Sequence, residues 1–403
     1  MLANIPDEIL LKIFIKISTK HLLLSVALVS KQFHRISKDP SLLKLVILEN
    51  IDKYVYDSVE NLLKNSTKIE TLIIKGSVLK KDHLLSIALQ TSKVLKTIKI
   101  EDKFCHNMAK VLLDLGQNLE YLDLSGSIGN SKYEIIFTSN MKNLKSIKYY
   151  GLDQSFNSEH VKSISTNCHN LKQIFLPNID SFSNELMENF CAKMKSLQSL
   201  SLHAHTKLEW NFKALTCLKY LTDLRISLYN LVLNKTQIEN LAQISQLKTF
   251  CFKYSNPLLV ISQDEIQGTK MALKNMFCNL NMINLEALMV HITCNTEPLD
   301  IYKLLIKKIG IKLKTLTLTC SDGFCMNLCP KIENLSVEDV KEILEQASKL
   351  SHLNIVGQDL PEEFLCEIEY KYKTKIVVDH HKSKAMRRFQ TFNPKFFENM
   401  TYL

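Results

Sequence analysis

Leu119-Glu-Tyr-Leu-Asp-Leu124 is one copy of an apolar-x-x-apolar-x-apolar hexad that recurs along most of the chain. Towards the N-terminus it returns as Leu95-Ile98-Ile100 and Ile69-Leu72-Ile74. Towards the C-terminus come Leu144-Ile147-Tyr149, Leu171-Ile174-Leu176, Leu197-Leu200-Leu202, Leu221-Leu224-Ile226 and Leu247-Phe250-Phe252. Leu285-Leu288-Val290, Leu313-Leu316-Leu318 and Leu350-Leu353-Ile355 continue the series. From position 69 to position 247 the steps are 26, 24, 25, 27, 26, 24 and 26 residues, the span of a strand-plus-helix unit. The steps from 247 to 285 and from 313 to 350 are longer, 38 and 37 residues, so each is expected to hold an insertion. Leu43-Val46-Leu48, 26 residues before Ile69, is a candidate opening rung.

Each hexad can supply a short strand whose leucines point into a stacked core, and the residues between must carry the chain back. Those returns read as helices. Met108, Val111, Leu112 and Leu115 fall at helical spacing, as do Leu186 with Phe190, Ile238 with Leu241 and Ala242, and Val337, Val340, Ile343 and Leu344. Ser336-Val-Glu-Asp339 is a capping-box-like start for the last of these. Units that bury their apolar faces only against neighbours stack into a solenoid. The pattern over residues 43–378 resembles the leucine-rich repeat family. The expected fold is therefore α/β, a horseshoe of parallel strands with helices on the outer face, of about 11–12 repeats over residues 42–378.

Residues 1–41 follow a different pattern. Pro6 suits the first turn of a helix, and Ile9, Leu10, Ile13, Phe14 and Ile17 then form an apolar stripe. A second apolar stretch runs from Leu22 to Val29, Ser30 can cap a third short helix bearing Phe33 and Ile36, and Asp39-Pro40 stops it. A three-helix segment of this size buries little surface alone and is expected to dock on a partner, on the repeats, or on both.

The order Ile5-Pro6-Asp7-Glu8-Ile9-Leu10-Leu11-Lys12-Ile13-Phe14, then Leu22-Leu23, Val29-Ser30-Lys31 and Phe33, resembles the F-box. Ile5 replaces the commonest leucine of that pattern, and His21 stands where an acidic residue is usual. The resemblance implies a surface for the small Skp adaptor of Skp-cullin-F-box ubiquitin ligases. Ile5, Pro6, Ile9, Leu10, Ile13, Phe14, Leu22, Val29 and Phe33 would form or support it. It implies a non-catalytic receptor whose repeats bind a target protein for ubiquitination, with a cullin joined through the adaptor. The alternative reading is a protein-binding scaffold whose N-terminal helices only cap the solenoid, as solenoid ends require.

Target contact is expected on the strand face turned away from the core, where aromatic and arginine side chains are the usual anchors. Tyr121, Lys148, Tyr150, Phe175 and Arg225 fall at such positions.

Composition sets the remaining bounds. The chain has 403 residues, 46% hydrophobic and 23% charged, which suits a folded globular protein rather than a disordered one. Its 51 Lys and Arg against 41 Asp and Glu give +10, without dense blocks in the linear sequence. That arrangement hints at acidic partners and argues against nucleic acid. Eleven scattered cysteines are read as reduced thiols. Asp7 and Glu8 stand where a secretory signal would carry positive charge, and the run Leu22 to Val29 is too short to span a bilayer. The expectation is a cytoplasmic or nuclear protein without membrane association.

No Gly-x-Gly-x-x-Gly, phosphate loop, His-Glu-x-x-His or Gly-x-Ser-x-Gly occurs, so no catalytic residue and no cofactor is assigned. Cys320, Cys325 and Cys329 match no common zinc spacing and are read as structural, with no metal. The basic run from His380 to Arg388 lies in a C-terminal tail, residues 379–403, expected to be solvated.

Overall fold

The computed structural model describes residues 5–17, 21–22, 25–39, 42–101, 104–124, 141–148, 157–176, 179, 182–204, 210–229, 234–255, 271, 284–293, 312–319, 336–356, 362–372 and 374–379. The chain gathers into two compact units, residues 1–177 and 178–403.

The first unit opens with helix α1 (Asp7–Phe14), a 3-10 turn (Val26–Leu28) and helix α2 (Lys31–Ser37). Strand–helix repeats follow: β1 (Leu45–Glu49), α3 (Lys53–Asn65), β2 (Thr71–Lys75), α4 (Lys81–Thr91), β3 (Thr97–Glu101) and α5 (His106–Leu115). They continue with β4 (Tyr121–Asp123), β5 (Ser146–Lys148), α6 (Ser158–Asn167) and β6 (Gln173–Leu176). Each strand pairs in parallel with the next, and equivalent hexad positions lie opposite one another: Val46 with Leu72, Leu72 with Ile98, Ile98 with Leu122, Leu122 with Ile147.

The second unit repeats the plan with α7 (Asn184–Lys193), β7 (Ser199–Ala204), a 3-10 return (Lys213–Cys217), β8 (Asp223–Tyr229), α8 (Lys235–Ala242) and β9 (Thr249–Ser255). It ends with β10 (Ala287–Thr293), β11 (Thr315–Thr319), α9 (Val337–Gln346), β12 (His352–Val356), α10 (Glu362–Tyr372) and β13 (Lys375–Asp379). Leu200, Leu224, Phe250, Leu288, Leu316 and Leu353 stand in register across it. β9 bonds directly to β10, and β11 to β12, so the two long steps are single repeats with extended returns, as an insertion requires.

Each unit has the α/β fold of a leucine-rich repeat solenoid, and in the first a small helical segment precedes the repeats. Their stability comes from the hexads: Leu72, Ile74, Leu119, Leu124, Leu171, Leu221 and Leu247 are all fully buried. Each such side chain contributes about 1.5–3 kcal/mol relative to exposure. Several helices begin on polar caps. Asp52 Oδ1 accepts from the main-chain N–H groups of Tyr54 and Val55, and Asn157, Asn234 and Ser336 form reciprocal capping boxes with His160, Gln237 and Asp339.

Two details of the turns were not foreseen. Asn118, Asn143 and Asn170, each directly before the first leucine of a hexad, donate their side-chain amides to Lys93 O, Gln117 O and Lys142 O of the preceding repeat, at 3.1, 2.9 and 3.1 Å. Gly76 adopts φ +67°, and a side chain there would overlap Asn50 Oδ1, which accepts from Ser77 N at 3.1 Å.

Candidate functional site

Helix α1 presents two kinds of apolar residue. Leu10 and Phe14 are 2% and 3% exposed and build a small core with Leu22, Ile36 and Leu42, against which Ile5, Leu11, Ile17, Val26 and Phe33 pack. Phe14 and Phe33 meet edge to face, with ring centroids 5.1 Å apart. One step round the same helix, Ile9 and Ile13 are 46% and 48% exposed. Leu28, the last residue of the 3-10 turn, and Val29 after it are also exposed, as is Ile15. Of the residues assigned to the adaptor surface, Ile9, Ile13, Val29 and Pro6 thus lie outside. Leu10, Phe14 and Leu22 lie beneath them, and Ile5 and Phe33 are half-buried.

Polar contacts fix this arrangement. Gln32 Nε2 donates to Ile5 O at 3.1 Å and to Asp7 Oδ1 at 2.9 Å, and Arg35 pairs with Asp7 Oδ2. Asp7 also lies in the first turn of α1, where negative charge is favoured. Ser30 caps α2 by accepting from Phe33 N at 3.1 Å, as its position implied. These contacts tie the start of α1 to α2 across 25–28 residues of sequence, a link that no short motif announces.

A family comparison bears on this segment. Residues 2–48 match the F-box-like family. The N-terminal segment is F-box-like. The F-box-like match extends into β1, whose Leu45–Glu49 pairs residue for residue with β2, so the segment's last residues are also the first rung of the sheet. None of the curated proteins compared with the chain matches it. Among solved structures, the crystal structure of the Rad7 and Elc1 complex in yeast is similar over 94% of this chain and 94% of that one, at 15% identity and a TM-score of 0.48. An F-box-like segment thus precedes the parallel strand–helix repeats described above.

The face of the strands turned away from the core carries the other candidate residues. Tyr121 is 44% exposed on β4, Lys148 and Phe175 are half-buried on β5 and β6, and Arg225 is half-buried on β8. Tyr150 lies outside the described residues. Arg225 is already engaged: its Nε and Nη2 donate to Asp223 Oδ1 and Oδ2 at 3.2 and 3.0 Å, a two-point pair along one strand. Lys99 is likewise paired with Glu101 at 2.9 Å.

Alternation along a strand does not by itself guarantee exposure. Ser146, His203, Cys251 and Met289 occupy outward positions yet are buried. Cys251 stands in register between Arg225 and Met289, and longer neighbours about 4.8 Å away cover a short side chain. Burial pushes the Cys251 thiol up to about 12 and lowers Lys253 on the same strand. The Cys168 thiol is raised to about 12 for the same reason, so neither thiol is ionised near neutral pH.

Cys320, Cys325 and Cys329, with the basic run after His380, lie outside the described residues. Among the described residues no cluster of three or more His, Cys, Asp or Glu could hold a metal, and no helix is long and apolar enough to cross a membrane.

Proposed function

We propose that this chain is the substrate-recognition subunit of a Skp-cullin-F-box ubiquitin ligase. Its F-box-like segment docks on a Skp-type adaptor and through it on a cullin, and its repeats hold a target protein for ubiquitination in the cytoplasm or nucleus. The observation that carries this reading is the pairing of a filled core with an uncovered apolar surface. Leu10, Phe14 and Leu22 satisfy the segment internally, so Ile9, Ile13, Leu28 and Val29 are not needed to fold it. Exposed apolar groups in a segment matching an adaptor-binding family fit a partner surface.

The receptor's contribution is positional. Holding a target lysine near the ubiquitin-charged carrier raises its effective concentration and calls for no catalytic side chain in this chain. Tyr121, Lys148, Phe175 and Arg225 are the proposed target contacts.

A second reading, in which the helices only cap the solenoid, draws on β1, into which the F-box-like match extends and which covers the edge of β2. Co-purification with a Skp adaptor separates the two. Wild type is expected to bind and the Ile9→Asp, Ile13→Asp double variant, folded by circular dichroism, to lose binding at least tenfold. Failure of a folded wild type to bind leaves the capping role.

A further inference from the structure

The net charge of +10 looks diffuse along the sequence but is not diffuse in the fold. In each unit the strands are parallel, so every turn from a helix into the next strand lies at the same edge. Among the described residues those turns carry fourteen lysines and no arginine, against Asp39, Glu70, Glu120 and Glu286. Their net charge equals the chain's whole formal +10. Everything else balances to about zero.

Twelve of the fourteen lysines fall into two groups. Four of those directly after the first leucine of a hexad are tied to carboxylates: Lys44 to Glu70 at 2.9 Å, Lys96 to Glu120 at 3.0 Å, Lys145 also to Glu120, and Lys314 to Glu286 at 2.7 Å. A second set of eight, including Lys172 directly after Leu171, has no carboxylate partner among the described residues. In the first unit these are Lys68, Lys93, Lys142 and Lys172, and in the second Lys195, Lys219, Lys312 and Lys349, all exposed. The turns beneath two of them are pinned, because Lys93 O and Lys142 O each accept an asparagine amide from a later repeat. Their backbones are therefore held at a fixed pitch, with neighbouring rungs about 4.8 Å apart at the strands.

We infer that the helix-to-strand edge of the first unit is a docking surface for an acidic protein segment. Fixed, unpaired cations in a row suit an extended polyanion, and the carboxylates alongside decide its class. A nucleic-acid backbone has a uniform charge that must pass over Glu70 and Glu120, whereas a polypeptide can place neutral residues opposite them. Among the described residues the edge also lacks arginine and, in the first unit, Phe, Tyr and Trp, the usual means of gripping phosphates and stacking bases. This inference is independent of the adaptor reading, because Ile9 and Ile13 play no part in it.

The test is fluorescence anisotropy of a labelled decaglutamate peptide with the full chain at low and physiological salt. Lys93→Gln, Lys142→Gln and Lys172→Gln together are expected to weaken binding about tenfold, the sum of three modest exposed ion pairs. The same three positions changed to Arg should keep it, and Lys53→Gln, Lys80→Gln and Lys110→Gln, elsewhere on the unit, should leave it unchanged. The inference is overturned if the peptide does not bind, if the Gln triple binds as wild type, or if the control triple weakens binding equally. It is also overturned if a 20-base-pair DNA duplex binds more tightly than the peptide at physiological salt.

Discussion

Asn170 donates its side-chain amide to the main-chain oxygen of Lys142, 28 residues earlier in the chain and one rung away in the fold, at 3.1 Å. With Asn143 on Gln117 O and Asn118 on Lys93 O it makes a ladder that ties successive turns together. Replacing any one asparagine by alanine removes one such bond. At these exposed turns each replacement is expected to destabilise the first unit by about 0.5–1 kcal/mol, and denaturant midpoints of Asn118→Ala, Asn143→Ala and Asn170→Ala would show it. Midpoints unchanged in all three would mean that water replaces the amide without loss.

Adjacent positions on α1 should behave in opposite ways. Leu10→Ala empties part of the helical core and is expected to cost about 2–5 kcal/mol, seen as lower thermal stability with or without an adaptor. Ile13→Ala, on the exposed side, should change stability by under about 0.5 kcal/mol while weakening adaptor binding. A large loss of stability from Ile13→Ala would show that this face packs within the chain.

Hydrogen bonds from Lys145, then Lys96, hold the Glu120 carboxyl below its ordinary value of 4.5. A carboxyl depressed in the folded state stabilises fully above its unfolded value, and the contribution is lost as pH falls through the lower folded value. Wild type should therefore exceed Glu120→Gln in stability at neutral pH, with the gap closing as pH drops below about 4. Denaturant melts at pH 7 and pH 3 check this, and added salt should narrow the neutral-pH gap.

Gly76 is expected to resist substitution. Its φ of +67° disfavours any side chain, and a methyl group would collide with Asn50 Oδ1. Gly76→Ala should lower stability by more than about 1 kcal/mol. Gly116, at a negative φ, has only flexible Leu119 and Met141 side chains nearby, and its alanine variant should cost less in the same melts.

The repeats were legible because strand and core share one signal. Leu122, Ile147, Ile174 and Leu224 each lie within a strand and are each buried, so a short apolar rhythm gave both the elements and their stacking. Ser336 was legible for a similar reason, since a capping box is local in sequence. The return after β7 was not, because Lys213–Cys217 is a 3-10 turn too short for helical periodicity to register. Nor could one sequence tell Ile9 from Leu10, since both lie on the apolar side of α1 and only the packing of α2 decides which is covered. The lysine edge stayed hidden because residues 25 apart look unrelated until the turns are superposed.

Because all of β1 but Glu49 falls within the F-box-like match, a shortened chain starting after residue 48 would not simply be blind to an adaptor. It would also strip the partners from Thr71, Leu72, Ile73 and Ile74, leaving a row of main-chain donors and acceptors open at the end of the stack. Such a chain should self-associate through that new edge. Any loss of activity it showed in a cell would then mix two defects, which point substitutions at Ile9 and Ile13 would keep apart.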